Sequence, residues 1–507
     1  MILDDLPQTP IAGDATLDDL FRRNAAQRPD ALALIDPPNR STFTDTPPRR
    51  LTYGEADRVI SAIAARLREL NLRADAVVAL QLANTVDSVL TLMAVLRAEL
   101  IAMPMPLLWR RAEILAALRR CSANALIVTG RIGSTDHFDL AVNAAVETFT
   151  VRHVCGFGSH PPDGAVALDG LYTAAAADQV PAIASERTTA GRGAHLACIT
   201  CDVSPAGLVA VARSDAELIA GGLAIVLEGN IPRYAAVLST IPLCSFAGLA
   251  TTLVPWLLVG GTLVLHHPFD CAAFVEQCWD LPNEAVIVPG PLVSPLAAAG
   301  FLPAHDSLKT VIAAWRAPAQ LRRAARWHES TAALIDVQLF GETALIAARR
   351  GADGRPAPVP LGALHAPRGA KGGFAIGETA LTGNDTLALR GPMVPRQSFP
   401  PGAQRAGIPC FAPAADGFVD TGFACEVDGE SLLVKAPPAG LVSFGGYRFA
   451  IGELGGIIGG LGGTLAVRPD ALAGHRLTGT AANPQAIRLA LRGIGANPLV
   501  VEAFPAR

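Results

Sequence analysis

Short aliphatic segments alternate with amphipathic helical segments over most of this 507-residue chain. The segment Leu51–Leu70 has apolar residues at helical spacing, with charged residues between them. Aliphatic runs of strand length occur at Ala76–Leu82, Ala125–Thr129, Ala285–Val288 and Leu334–Leu339. Strands that are apolar on both faces and separated by helices are typical of parallel sheets covered by helices. The alternation therefore predicts an α/β fold of layered β–α subdomains.

Length and composition restrict the class of protein further. A chain of 507 residues is too long for one compact core, so two or three domains are expected. Hydrophobic residues make up 50% of the chain and charged residues 17%, which suits a large buried sheet. The net charge of −4 and the absence of a basic run argue against a nucleic-acid partner. The first ten residues do not resemble a signal peptide, so a cytoplasmic location is expected.

One uncharged segment, Gly248–Leu265, reaches the 18 residues that a membrane helix needs at minimum. Pro255 and the pair Gly260–Gly261 interrupt it, and β-branched residues follow. We therefore interpret the segment as a buried helix, a turn and a buried strand, and predict no transmembrane segment.

The nine cysteines suggest reduced thiols in a chain without an export signal. Cys198 and Cys201 form a CxxC pair, but no second pair or nearby histidine pair completes a set of ligands. The sequence therefore predicts no metal site from its cysteines.

The character of the chain changes twice towards its end. From about residue 359 short β segments rich in Gly and Pro replace the alternation. A final unit holds a clear helix at Pro484–Arg492 and a predicted strand at Leu499–Phe504. We expect a large domain of residues 1–440, with a β-rich region from about 359, and a shortened α+β C-terminal domain of residues 441–507.

The stretch Ala197–Arg213 lies between a predicted strand, His195–Thr200, and a predicted helix that starts near Arg213. A loop that leads into a helix start can hold a phosphate through its backbone N–H groups. This loop has a single glycine, Gly207, and no lysine, so it lacks the usual phosphate-loop chemistry.

Four segments, in order along the chain, carry a resemblance to a known family. The first comprises TLDDLFRRNAAQRPDALALID from Thr16 together with LTYGEA from Leu51. The other three are LSTIPLCSFAGLATTLVPWLLVGG from Leu238, DGFVDTG from Asp416 and FGGYRF from Phe444. Their order resembles the adenylate-forming superfamily of acyl-CoA synthetases, aryl-CoA ligases, luciferases and peptide-synthetase adenylation domains. The resemblance implies the adenylate-forming-enzyme fold. It also implies ATP-dependent activation of a carboxylate, followed by transfer to a thiol such as coenzyme A.

The nucleotide loop departs from that family. Its motif TSGTTGxPKG aligns with TCDVSPAGL, residues 200–208, in which most glycines and the lysine are lost. Asp202 would place a negative charge beside a polyanion, which is repulsive. The remnant of the loop comprises Thr200, Ser204, Gly207 and Arg213.

The family's YGxTE motif resembles FGETA, residues 340–344, where Ala344 replaces the glutamate that binds Mg²⁺. Glu342, two residues earlier, would share its face if the strand continued. By resemblance, the remaining catalytic candidates are Glu342, Thr343 and Arg448, and no metal ligand is assigned.

Three further family residues have no counterpart by resemblance. Phe423 follows Thr421–Gly422 where the carboxylate for the ribose is expected, and Gly440 stands at the hinge aspartate. The family's catalytic lysine is expected beyond VVEAF, whereas this sequence ends at Arg507. We therefore expect adenylation to be lost.

The residues that the resemblance places around the acyl group depart less from the family than those around the nucleotide. By resemblance, the acyl pocket is lined by Ser245, Phe246, Gly248, Leu249, Trp315, Phe340 and Gly341. Trp315 and Arg316 stand where the family has glycines at the adenine. Trp315 either fills the base pocket or belongs to the core, and the sequence leaves both open.

Three functions follow. The first is an acyl-CoA-synthetase-like pseudoenzyme of fatty acid metabolism, with no cofactor, that binds an acyl or aryl carboxylate, an acyl thioester or a protein. The second is an active ligase that uses ATP, Mg²⁺ and coenzyme A at a site rebuilt from Arg213, Arg316 and Glu342. The third is a structural subunit paired with an active relative. The sequence does not decide whether the protein is an enzyme.

Overall fold

Parallel sheets organise the larger part of the chain. A computed structural model describes residues 14–176, 191–302, 307–327, 332–368 and 373–505. The first strands are β1 (Leu32–Ile35), β2 (Arg50–Thr52), β3 (Val77–Gln81), β4 (Ile101–Pro104), β5 (Ala125–Thr129), β6 (Arg131–Ile132), β7 (Thr135–Asp136), β8 (His153–Phe157) and β9 (Val166–Ala167). The middle strands are β10 (Leu196–Ser204), β11 (Gly207–Ser214), β12 (Val237–Ser239), β13 (Leu263–Leu265), β14 (Ala285–Pro289), β15 (Thr310–Trp315), β16 (Ala333–Phe340) and β17 (Ala344–Arg349).

The strands of the last third belong to two antiparallel sheets. They are β18 (Val359–Pro360), β19 (Gly362–Ala366), β20 (Phe374–Leu381), β21 (Thr386–Arg390), β22 (Val419–Asp428), β23 (Ser431–Ala436), β24 (Leu441–Phe444), β25 (Tyr447–Ala450), β26 (Gly463–Asp470) and β27 (Gly474–Ala481). Strands β18–β23 form a six-stranded sheet, and β24–β27 form a four-stranded sheet. The β-rich region predicted from about residue 359 is therefore present.

Helices pack against the sheets, and the last three of them pack on the four-stranded antiparallel sheet. The helices are α1 (Leu17–Gln27), α2 (Arg40–Phe43), α3 (Tyr53–Glu69), α4 (Val86–Arg97), α5 (Arg111–Cys121), α6 (His137–Val146), α7 (Gly170–Ala176), α8 (Asp215–Gly229), α9 (Phe246–Gly248), α10 (Val254–Val259), α11 (Cys271–Asp280), α12 (Val293–Ala298), α13 (Ile451–Gly460), α14 (Pro484–Gly493) and α15 (Pro498–Val501). Helix α3 shows why such segments fold as predicted. Thr52 and Glu55 form a capping box at its start, and its apolar stripe is buried.

Two large sheets carry the layered architecture. The first has the order β17-β16-β15-β14-β12-β13-β1-β2, and the second has the order β11-β10-β4-β3-β5-β8-β9. Adjacent inner strands are parallel, as in the β14–β15 and β15–β16 pairs, and the edge strands β17 and β11 pair antiparallel with β16 and β10. The predicted α/β class is therefore confirmed. The domain boundary at residues 440/441 stays a prediction.

The uncharged segment Gly248–Leu265 folds as predicted. A π-helical turn at Leu249–Leu253 continues into α10, which ends at Gly260 with φ 68°, and β13 follows. A left-handed residue after the last helical residue favours glycine. Within the described ranges, no helix is long and apolar enough to cross a membrane.

Two local predictions are wrong. The stretch after Thr200 is no loop: β10 continues to Ser204, turns through Pro205 and Ala206, and pairs with β11 in a hairpin, and the next helix begins only at Asp215. The predicted strand Leu499–Phe504 is instead the helix α15 and its end. There Asn497 accepts a hydrogen bond from the backbone N–H of Leu499, and Pro498 occupies the first turn.

Candidate functional site

Five segments meet at one end of the large sheets. They are the β10–β11 hairpin, the β16–β17 turn at residues 341–343, the residue after β15, the start of α9 and the β24–β25 turn. These segments bring together two carboxylates and three guanidiniums, from Asp202, Glu342, Arg213, Arg316 and Arg448. We call this group the ionic cluster.

The hairpin presents its polar side chains to the cluster on one face. Side chains alternate along a strand, so Thr200 and Asp202 share the face that carries Cys198. Arg213 lies directly opposite Cys198 in the register of the hairpin and therefore projects from the same face. The other face, with Ile199 and Ala210, packs into a separate hydrophobic core.

Asp202 joins the hairpin to the four-stranded sheet through an ion pair. Its two carboxylate oxygens lie 3.0 and 2.9 Å from Nη1 of Arg448. The pair is mostly buried, with 16% of the Asp202 side chain and 12% of the Arg448 side chain exposed. Oδ2 also accepts a hydrogen bond of 2.9 Å from the backbone N–H of Glu342.

The Glu342 side chain turns inwards rather than towards solvent. Its Oε2 accepts a hydrogen bond of 2.6 Å from the backbone N–H of Phe246. Burial raises the pKa of the Glu342 carboxyl, and the nearby charge of Arg316 opposes that shift. Thr343 is also buried, and its carbonyl accepts a hydrogen bond from Arg213.

Arg213 is the most deeply buried cation of the cluster. Its Nη2 donates to the carbonyls of Glu342 and Thr343, at 2.8 Å for Thr343, and its guanidinium carbon lies 3.9 Å from the ring centroid of Phe246. Burial lowers the pKa of Arg213 to about 10. Its Nε and Nη1, and Nη2 of Arg448, have no hydrogen-bond partner among the described residues.

Arg316 completes the cluster from the end of β15. It donates to Oγ of Ser245 and, at 3.1 Å, to the carbonyl of Gly446. Ser245 is also the cap of α9, since its Oγ accepts a 3.5 Å hydrogen bond from the N–H of Gly248. Gly341 has φ +63°, and a Cβ there would lie 2.3 Å from Oδ2 of Asp202.

The other residues that resemblance assigned to a nucleotide loop serve the hairpin turn. The Ser204 hydroxyl donates 2.9 Å to the carbonyl of Gly207, and Gly207 has φ +115°. Thr200 is buried, and its Oγ1 has no partner among the described residues. Ser204 and Gly207 thus close a two-residue connection, and only Thr200 and Arg213 reach the cluster face.

The predicted acyl-pocket residues are packed closely. Phe246 and Leu249 are fully buried in the main core, and a Cβ on Gly248 would lie 1.9 Å from the carbonyl oxygen of Pro242. Phe340 is buried in the same core and meets Phe423 edge-to-face, with ring centroids 5.4 Å apart. Their role in acyl binding stays a prediction.

Trp315 is separated from these residues. It belongs to a hydrophobic cluster on the other face of its sheet, its Nε1 donates 2.9 Å to Asp336, and a Cβ on Gly290 would meet its ring at 2.3 Å. Trp315 therefore occupies the core, one of the two interpretations that the sequence left open.

Tyr447 is a residue of the site that was not predicted from the sequence. Its hydroxyl accepts a hydrogen bond of 3.3 Å from the N–H of Leu108. It lies in the FGGYRF motif, which could have pointed to it.

No group of three or more His, Cys, Asp or Glu side chains that could hold a metal ion occurs in the described part of the chain. A Mg²⁺ ion at Glu342 would therefore take its other ligands from water or from phosphate oxygens. As arranged, Glu342 is engaged by the backbone of Phe246 and lies near two guanidiniums, those of Arg213 and Arg316.

The fold is that of the adenylate-forming enzymes. The amide bond synthetase McbA from Marinactinospora thermotolerans aligns with a TM-score of 0.69 and 16% identity, over 96% of this chain and 94% of that one. The anthranilate CoA ligase AuaEII aligns with a TM-score of 0.65 and 18% identity, over 97% and 91%. MbtA of Mycobacterium smegmatis aligns with a TM-score of 0.65 and 19% identity, over 98% of this chain and 94% of that one. At this identity the likeness establishes the fold.

Sequence comparison finds similarity over part of the chain. The family described as "AMP-binding enzyme" matches residues 21–190. Nonribosomal peptide synthetase agiA of Aspergillus flavus is 27% identical over 121 residues, and cyclosporin synthetase simA of Tolypocladium inflatum is 26% identical over 137 residues. These matches cover 24% and 27% of this chain but 1% of each relative. The predicted relationship to the adenylate-forming, AMP-binding superfamily is confirmed.

Proposed function

We propose that the chain is an acyl- or aryl-acid-ligase-like protein that binds an acyl compound and has lost ATP-dependent adenylation. The ionic cluster supports this proposal. By family resemblance the β10–β11 hairpin and the FGETA segment should face the phosphates. In this chain Asp202 of the hairpin is instead bonded to the backbone of Glu342 and to Arg448. Each cation that could neutralise a triphosphate already donates to a protein group, although two nitrogens of Arg213 and one of Arg448 have no partner among the described residues.

The charge of Asp202 is the observation that carries the proposal. A triphosphate at this hairpin would approach a carboxylate that forms its ion pair with Arg448 and also feels the charge of Arg213. Entry would require the ion pair to separate and the N–H of Glu342 to lose its acceptor. Each step exposes or strands a mostly buried polar group, which costs free energy.

A second function is favoured by the meeting of Arg213, Arg316 and Glu342 in one place. In this alternative the three residues form a rebuilt ligase site, and Arg213, which has two unpartnered nitrogens among the described residues, receives the anion. Removing a preorganised charge-stabilising group typically costs about 10²–10³ in rate, so such a site would depend strongly on each cation.

ATP–pyrophosphate exchange separates the two functions. We expect no exchange above background with short, medium, long or aromatic acids. The matched control is Glu342→Gln, which keeps an acceptor for the N–H of Phe246 but removes the charge. Exchange with any one acid that this substitution abolishes would establish the rebuilt ligase. The role of structural subunit predicts neither exchange nor acyl binding.

A further inference from the structure

An open pocket lies away from the ionic cluster, between the eight-stranded sheet and the six-stranded sheet. Its volume is about 430 Å³, within the range of about 300–1,000 Å³ that is usual for small-molecule sites. It is bounded by the turn of helix at Pro318–Arg323, by Gln338 on β16, by residues 355–359 and by residues 432–434 on β23.

The lining divides into an aliphatic floor and a basic part. Leu321, Val359, Leu432 and Val434 are buried and form part of the floor. Prolines and alanines make up half of the remaining lining. Among the described residues that line this pocket none is aromatic, so they offer a base or an aryl ring no stacking partner.

Three arginines supply the charge, Arg322, Arg326 and Arg355, and among the residues that the structure describes no carboxylate lines the pocket. Asp353 lies 3.9 Å from Arg355, but both side chains are more than 60% exposed, so that pair is weak. Glu426 feels the charge of Arg322, but Lys435 is its salt-bridge partner and the main cause of its lowered pKa.

We propose that this pocket binds the carboxylate of a medium-chain aliphatic acid, with the chain on the floor and the head group at Arg322 and Arg326. The inference rests on the proposed acyl-binding function and names its site. Of the residues that resemblance assigned to the acyl pocket, Phe246, Leu249 and Phe340 are fully buried in the main core, whereas this pocket is open. The aliphatic lining and the cations, with Gln338 as the remaining polar side chain, match an amphiphilic anion.

Titration calorimetry with sodium decanoate, below its micelle concentration, tests the site on the full chain. Decanoate should bind more tightly than decanol, and affinity should rise from hexanoate to decanoate by up to about fourfold per methylene. The double substitution Arg322→Gln and Arg326→Gln should weaken decanoate binding about tenfold or more, because both charge-assisted hydrogen bonds are lost.

Arg323→Gln is the matched control, since Arg323 lies in the same short helix and does not line the pocket. It should leave the affinity unchanged. If decanoate binds the double variant as it binds the wild type, the site is refuted while acyl binding stands. If decanoate fails to bind at millimolar concentration, or decanol binds equally well, the inference is refuted. Pyrophosphate exchange tests the loss of adenylation independently of all these outcomes.

Discussion

Removal of the Asp202 carboxylate should loosen the four-stranded sheet from the rest of the molecule. Asp202→Ala leaves Arg448 without its ion-pair partner and the N–H of Glu342 without its acceptor. Breaking a buried pair from one side costs about 3–5 kcal/mol. Because 12–16% of these side chains is exposed, we expect water to hydrate the unpaired groups in part and to reduce the cost to about 2–4 kcal/mol.

Hydrogen–deuterium exchange suits this measurement, because it reports local opening in a chain too large for two-state unfolding. Amides of β24 and β25 should exchange faster in Asp202→Ala. Arg448→Leu and the double variant complete a double-mutant cycle, and the coupling free energy between Asp202 and Arg448 should reach about 1–3 kcal/mol. The control Asp353→Ala removes an exposed pair and should change stability by less than about 0.5 kcal/mol. A coupling below about 0.5 kcal/mol would refute this account of the ion pair.

Three further predictions concern stability. Burial raises the pKa of Glu113 to about 7, above its ordinary 4.5. The folded chain therefore binds this proton more tightly than the unfolded chain, and the free energy of unfolding increases as pH falls from 7 to 4.5. Glu113→Gln should flatten that part of the profile in urea titrations. Burial lowers the pKa of His137 to about 4. As pH falls from 6.5 to 4 the unfolded chain is protonated first, so the free energy of unfolding decreases. His137→Gln should remove that decrease. Gly341→Ala should destabilise by about 1–3 kcal/mol more than Gly133→Ala in thermal melts. Both glycines have φ near +60°, but only at Gly341 does a Cβ meet neighbouring atoms, so equal effects would contradict the proposed clash.

The sequence predicted the sheets well because their strands are short aliphatic runs. Ala125–Thr129 was predicted to the residue, and Leu334–Leu339 to within one residue at each end. The hairpin was missed because Thr200–Ser204 is half polar and Pro205 follows it, a composition that suggests a loop. The β-branched pair Val500–Val501 suggested a strand, but Asn497 and Pro498 start a helix there.

The ionic cluster was only partly predictable. The motifs pointed to Glu342, Arg213 and Arg448, but the pairing of Asp202 with Arg448 joins residues 246 positions apart in the chain. Such a contact depends on how the sheets pack, which a single sequence without relatives does not reveal. The side-chain direction of Trp315 was undetermined for the same reason, since β15 is buried on both faces.

The Asp202–Arg448 ion pair also constrains how this lineage can change. Loss of either partner alone strands a mostly buried charge, so each single substitution is selected against even if binding and catalysis are irrelevant. Any side chain at Gly341 would collide with both partners. We therefore expect close homologues to change positions 202 and 448 together, with glycine retained at 341 as long as the pair persists. Conversion of this hairpin into a glycine-rich phosphate loop would then need at least two coordinated replacements, which makes such a change slow.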